Sequence, residues 1–448
     1  MRFPATAPLR AFLAEQRNVL LSSLSSLALR IAGLASTFLL GVVLARALGP
    51  ASYGIYGLVT SLAALAMNAA LLGTPQLAVR EMAVRSARAD WPGAWALARN
   101  FLTATSLASL ALGIVAVTGA YLFGGSDPRA PGLSAIGAVL AAAMSVTALA
   151  AAELRGLGQL FKGQFMDIVG RPAAALLLTG AVLVAGIRLT SAGALWIQLV
   201  VSVVAAAVSL GWISRAMNRG KDAEAPSAGW RWLKAALPLG VVDVLRQFDG
   251  TYGIILVGLL ATAPDLGIYR VAVASTVLVS MPVTILHVIL APTVSRHYRF
   301  GEHAELQRLL RTASASMCAV LVPMLVVLVL FGRPLVLLVF GNVYADAWLP
   351  LTVLCAAQVV LGFFGMGPIL LAMADSERHL TLIYLVAVSA GMVAAALLIP
   401  GFGALGAAAA QVLSTGTVAV LSGRFARRRL GLGTTFLARE IPAAHPAA

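Results

Sequence analysis

Apolar runs of about twenty or more residues, broken by short polar clusters, set the tightest limit on what this chain can become. In lipid such a run must satisfy its own backbone, and the helix is the single-segment solution. With 60% hydrophobic and only 11% charged residues, the chain falls well below the roughly 25% charge of soluble domains. The first run carries Arg30 and lacks a well-placed small-residue cleavage site, so it reads as a retained helix rather than a signal peptide. The pattern predicts an all-α polytopic membrane protein of about twelve spans. These lie near 18–46, 53–79, 97–123, 132–154, 165–187, 191–214, 233–261, 266–292, 309–331, 346–373, 379–399 and 403–423, with 333–350 a possible separate half-helix. An even count puts both termini on one side.

The basic residues fall unevenly about these spans. The segments on the side of the termini hold most of them, whereas the opposite loops hold only Arg129, Arg188 and Arg333. This asymmetry places the termini in the cytoplasm and the chain in the inner membrane. It also accounts for a net charge of +15 without nucleic acid, because basic juxtamembrane segments lie against anionic lipid. Arg427-Arg-Arg429 in the C-terminal tail is read the same way. Cys318 and Cys355 sit in apolar runs and have neither disulfide-framework nor metal-ligand spacing. External loops no longer than about fifteen residues disfavour a membrane-embedded glycosyltransferase or polysaccharide polymerase with an outer catalytic region.

A flexible polar linker, Met217 to Gly229, divides the spans into equal sets. The expected units are 1–216, a linker at 217–232, a second set at 233–424 and a basic tail at 425–448. Gly54-Ile-Tyr56 recurs as Gly267-Ile-Tyr269, 213 residues on, each after a short turn containing proline. Sets of six spans enter from the same side, so this is a parallel pseudo-repeat around a central cavity. The same offset carries Arg30 onto Asp243.

Charged groups inside spans cost roughly 2.5–3.5 kcal/mol each at the membrane centre and therefore face protein or water. Asp243, Arg246 and Asp249 share one face of one helix, since each step of three residues turns it by about 60°. Arg246 offers anion binding, the aspartates offer cation or proton coupling, and mutual neutralisation is the competing reading. Arg30 lies about 18 Å from the nearer helix end, too deep to snorkel easily. It is an anion anchor or a structural partner of Asp243. Arg270 follows the second Gly-Ile-Tyr, and Arg46 is expected at the interface.

Ser61, Asn68, Thr276, Ser280 and Thr284 would line a hydrophilic cavity or join helices by hydrogen bonds. His287 titrates near neutrality if wet and is inert if packed. Tyr53, Tyr56 and Tyr269 are expected in interfacial belts. Gly401-Phe-Gly403-Ala-Leu-Gly406 fits a dinucleotide fingerprint, but it joins two spans and is read as a tight turn. Neither a P-loop pattern nor a zinc-ligand cluster occurs, so no ATP, metal or other cofactor is expected. Drive would come from Na+, H+ or membrane potential.

Leu44-Ala-Arg-Ala-Leu-Gly-Pro-Ala-Ser-Tyr-Gly-Ile-Tyr-Gly57 resembles the junction of spans one and two in bacterial polysaccharide flippases of the Wzx type. These belong to the multidrug/oligosaccharidyl-lipid/polysaccharide exporter superfamily. Gln76-Leu-Ala-Val-Arg-Glu81, Leu266-Gly-Ile-Tyr269 and Gly403-Ala-Leu-Gly-Ala-Ala408 are similar to further segments of that family. The resemblance implies two six-helix halves around a cationic cavity and an undecaprenyl-diphosphate-linked oligosaccharide as cargo. It puts the diphosphate on Arg30, Arg246 and Arg270, and sugar on polar residues such as Asn68 and Thr284. Asp243, Asp249 and His287 remain for coupling, although the aspartates reduce the cationic charge. The polyprenyl tail would stay in lipid beside spans one and eight, and the implied partners are glycosyltransferases and a polymerase. A cation-coupled multidrug antiporter of the same superfamily is the alternative.

Overall fold

The computed structural model describes residues 7–123, 130–218, 231–374 and 376–438. Most of the linker, Arg129 and the tail beyond residue 438 lie outside them. The chain forms α1 (Ala7–Leu71), α2 (Thr74–Ala87), α3 (Trp91–Phe123), α4 (Ala130–Gly156), α5 (Leu160–Gln164), α6 (Arg171–Val184) and α7 (Ser191–Ala216). It continues with α8 (Arg231–Asp249), α9 (Tyr252–Leu260), α10 (Ala263–Arg299), α11 (His303–Phe340), α12 (Trp348–Phe364), α13 (Gly367–Met373) and α14 (Glu377–Arg429). A π-helical turn, Phe165–Gly170, joins α5 to α6, and a 3₁₀ turn, Asn342–Ala347, joins α11 to α12. No strand occurs among the described residues, so the all-α expectation holds.

Nine helical segments among the described residues are long and apolar enough to cross a membrane, and the protein is multi-pass. Two of them are folded. A straight helix over Ser25–Leu71 would be about 70 Å long, more than twice a ~30 Å hydrocarbon core. At Gly49 the backbone enters the left-handed region (φ 71°) and Pro50 follows. A Cβ on Gly41 would lie 3.3 Å from the Tyr53 hydroxyl, so the chain has doubled back. α14 repeats the device at Gly403 (φ 52°), where a Cβ on Gly406 would meet the Leu398 carbonyl at 2.5 Å. The glycine-rich segment there is a tight turn, as expected. The expected seventh span is broken after Asp249 into α8 and α9, and the tenth at Gly365 into α12 and α13. α11 continues past the expected end at 331, through Arg333-Pro334 to Phe340. Over its 38 residues it is about 57 Å long and outreaches the hydrocarbon core.

One buried cluster lies within 71–236, a second within 279–432, and a third draws on both parts of the chain. The shared cluster gathers the repeated motifs. Gly54 and Gly267 let α1 and α10 touch backbone to backbone: a Cβ on Gly267 would lie 2.0 Å from the Pro50 carbonyl oxygen. Tyr53, Tyr56 and Tyr269 are buried here at 1%, 4% and 2% exposure, which corrects the expectation of interfacial belts. The close approach of α1 and α10 covers their rings, and Gln198 donates to the Tyr56 hydroxyl at 2.8 Å. Arg46 has a partner as well: its Nε donates to the Val339 carbonyl at 2.8 Å, satisfying the C-terminus of α11.

Near the other end, which carries the basic loops, Trp232 and Ala236 of α8 pack into the 71–236 cluster, with Trp232 edge-on to Phe101. His297 and Glu302 pair across the α10–α11 turn, and Glu305 lies 3.5 Å from the same ring nitrogen. Cys318 and Cys355 are both free.

Candidate functional site

A cavity of about 860 Å³ opens between α8, α10, α12, α13 and α14, with Gln76 reaching in from α2. The ionisable face of α8 forms one wall. Gln76 Nε2 donates to Asp243 at 2.9 Å, and Arg246 Nη2 donates to the same carboxylate at 3.0 Å. Asp249 is held from another helix, by Ser414 Oγ and by Gln411 Nε2 at 3.5 Å. Arg246 therefore pairs with Asp243 alone, not with both aspartates. Its side chain is 67% exposed, so most of its five donors face open space.

Thr284 and His287 of α10 also line this cavity. Thr284 hydrogen-bonds back to the Ser280 carbonyl at 3.1 Å, as Thr276 does to Ala272 at 2.9 Å. Much of that stripe is thus satisfied within its own helix. His287 Nε2 is buried with no partner among the described residues. Gln358, Gln411 and Tyr384 line the cavity and were absent from the sequence expectation. The signal was present, since Gln358 and Gln411 are neutral amides inside apolar runs.

Arg30, Arg270 and Asn68 are not in that lining. Arg30 lies on the other part of the chain, where α1 meets the π-helical turn. Ser26 Oγ donates to Gln164 at 2.8 Å, and Gly33 packs so closely that a Cβ would lie 2.4 Å from the Ile168 carbonyl. Half-buried Arg30 has an Nε without a partner among the described residues, and its charge, like that of Asp167, reaches Arg155. Arg171, just beyond the π turn, has the same unpartnered Nε and acts electrostatically on Tyr56. Arg171 falls within the expected fifth span, 165–187, and the helix that contains it starts slightly earlier, at Leu160. Arg270 packs over Gly57 and reaches Ser61 Oγ at 3.4 Å, within the contact between the repeated motifs. Asn68 donates to the Ala64 carbonyl at 2.9 Å. The structure thus brings together Asp243, Arg246, Asp249, Thr284 and His287, and leaves the other predicted residues elsewhere.

Residues 43–349 match the family described as polysaccharide biosynthesis protein. The chain belongs to that family. No curated protein matches it in sequence. Among solved structures it is similar to an inward-facing multidrug resistance MATE family transporter of the MOP superfamily, with TM-score 0.71 and 16% identity over 91% of this chain and 98% of that one. It is also similar to the lipid II flippase MurJ in an inward closed conformation, with TM-score 0.70 and 13% identity over 90% and 86%. A third is a MOP superfamily transporter from Pyrococcus furiosus whose binding pocket is described as having reverse polarity, with TM-score 0.63 and 17% identity over 92% and 95%. The fold of this family member is that of the MOP transporters.

Proposed function

We propose that the protein is a flippase that carries an undecaprenyl-diphosphate-linked oligosaccharide, an O-antigen or exopolysaccharide repeat unit, across the inner membrane by alternating access. The observation that carries this reading is the pairing of open guanidinium donors with neutral amide and hydroxyl groups. Arg246 faces the cavity beside Gln358, Gln411, Tyr384 and Thr284. Guanidinium suits phosphate oxygens, and amides and hydroxyls suit sugar. Arg30 and Arg171, each with a buried Nε lacking a partner among the described residues, supply further diphosphate contacts, and Arg270 stands at the outer contact. The basic loops face the cytoplasm together with both termini. The units 1–216 and 233–424 rock against each other, with 217–232 as linker and 425–448 as tail. Na+, H+ or the membrane potential drives the cycle through Asp243, Asp249 and His287, with glycosyltransferases and a polymerase as partners.

A second reading, a cation-coupled multidrug antiporter, draws on Asp243 and Asp249, which outnumber Arg246 in the cavity wall. Complementation separates the two. In a strain lacking its own flippase, this protein restores surface polymer and clears the accumulated lipid-linked intermediate. Restored drug resistance with the intermediate unchanged sinks the flippase reading.

A further inference from the structure

A second cavity, of about 190 Å³, lies between α3, α4 and α7 and shares no lining residue with the first. Glu153 of α4 lines it, only 4% exposed, and its Oε1 has no hydrogen-bond partner among the described residues. Buried carboxyl oxygens normally have partners, and an isolated one calls for a donor from outside the chain. Arg99, at the exposed rim on α3, is the one other charged group in the lining, and the two form no ion pair. The remaining walls are mostly apolar and include Leu102, Leu149 and Leu210.

The position narrows the ligand. Glu153 lies close to the end of α4, Arg99 near the start of α3, and Ser214 close to the end of α7. All three belong to the end of the bundle that carries the basic loops. Trp95 in the same lining is the residue type that favours the headgroup layer. Leu210 in the lining is 37% exposed, so the cavity reaches the accessible surface of the helices.

The geometry points to a site for the headgroup of an aminophospholipid: its ammonium on Glu153, its phosphodiester on Arg99 and its acyl chains along Leu102 and Leu210. A primary ammonium supplies both positive charge and N–H donors to the orphaned carboxyl, and guanidinium holds phosphate by charge-assisted hydrogen bonds. A choline headgroup has no N–H to give. A lipid without an amine leaves Glu153 unpaired. A hard divalent cation wants six or more oxygens, whereas the only side-chain oxygens in this lining belong to one carboxylate and one serine hydroxyl, with the cationic Arg99 beside them.

Native mass spectrometry of the full-length protein, exchanged into phosphatidylethanolamine, phosphatidylglycerol or phosphatidylcholine, tests the site. Wild type retains phosphatidylethanolamine in preference to the other two. Glu153→Gln lowers that preference about tenfold, the loss of one charge-assisted contact. Arg99→Ala weakens retention of phosphatidylethanolamine and phosphatidylcholine alike. Equal retention by wild type and Glu153→Gln overturns the proposal. Because a variant can fail to fold, the wild type is also given the N-methylated series from phosphatidylethanolamine to phosphatidylcholine. Retention falls across the series, most at the last methylation, which removes the final N–H, if the ammonium donates to Glu153, and a flat series refutes the site.

Discussion

Arg30 and Asp243 stand 213 residues apart at corresponding places of the repeat, yet they carry opposite charges and sit in different surroundings. Arg30 belongs to a mainly cationic sector with Arg155 and Arg171, tempered by Asp167. Asp243 belongs to a cavity wall with two carboxylates and one guanidinium. At the opposite end the copies behave differently: Gly54-Ile-Tyr56 and Gly267-Ile-Tyr269 keep the same residues and pack against each other. Where the copies touch, backbone contact leaves no room for change. Away from that contact each copy has its own chemistry, and we assign cargo phosphate to the guanidinium groups of both, Arg30 and Arg246, and coupling to the carboxylates of the second.

The largest expected effect attacks the touching region. Gly267→Val drives a branched side chain into the Pro50 carbonyl and removes most folded protein, read as loss of the monodisperse peak on size exclusion. A normal peak and melting temperature would show that the contact tolerates bulk. Next, Arg30→Ala abolishes polymer export while the protein remains in the membrane; unimpaired export removes the anion-anchor role. Asp249→Asn leaves Ser414 and Gln411 a neutral acceptor and slows transport about tenfold without loss of cargo binding. Reduced cargo affinity with an unchanged turnover rate would move Asp249 from coupling to cargo recognition. The smallest effect is Arg46→Lys, which replaces a fork over the last carbonyls of α11 with a point donor. It lowers stability by about 1 kcal/mol and leaves transport unchanged; a transport defect would make this link part of the cycle. A tag at residue 220, in the linker, is reached only from the cytoplasm, and labelling from outside reverses the assigned topology.

The helical class and most polar positions were legible because lipid leaves the backbone few choices and makes each buried charge conspicuous. The doubling back at Gly49 and Gly403 was legible from Gly and Pro within the apolar runs. The fate of Tyr53, Tyr56 and Tyr269 was not, since an aromatic near a helix end reads alike whether lipid or another helix covers it. Separate surroundings for Arg30 and Asp243 were also hidden: a shared offset gives equal depth in two copies but not the direction in which a side chain points. Arg171 was not singled out because it lies near the start of its span, where a basic residue reads as interfacial, and the π-helical turn before it was not legible. The burial of Glu153 was not legible, because a carboxylate two residues from Arg155 at the end of a span reads as interfacial.

The most direct test of this division is equilibrium binding of a polyprenyl-diphosphate oligosaccharide to the protein in nanodiscs. Arg30→Ala and Asp249→Asn are compared with wild type. The account predicts that Arg30→Ala weakens binding by about ten- to a hundredfold, the worth of one charge-assisted phosphate contact, while Asp249→Asn binds as wild type does. Unchanged affinity in Arg30→Ala, with the loss appearing in Asp249→Asn, would contradict it.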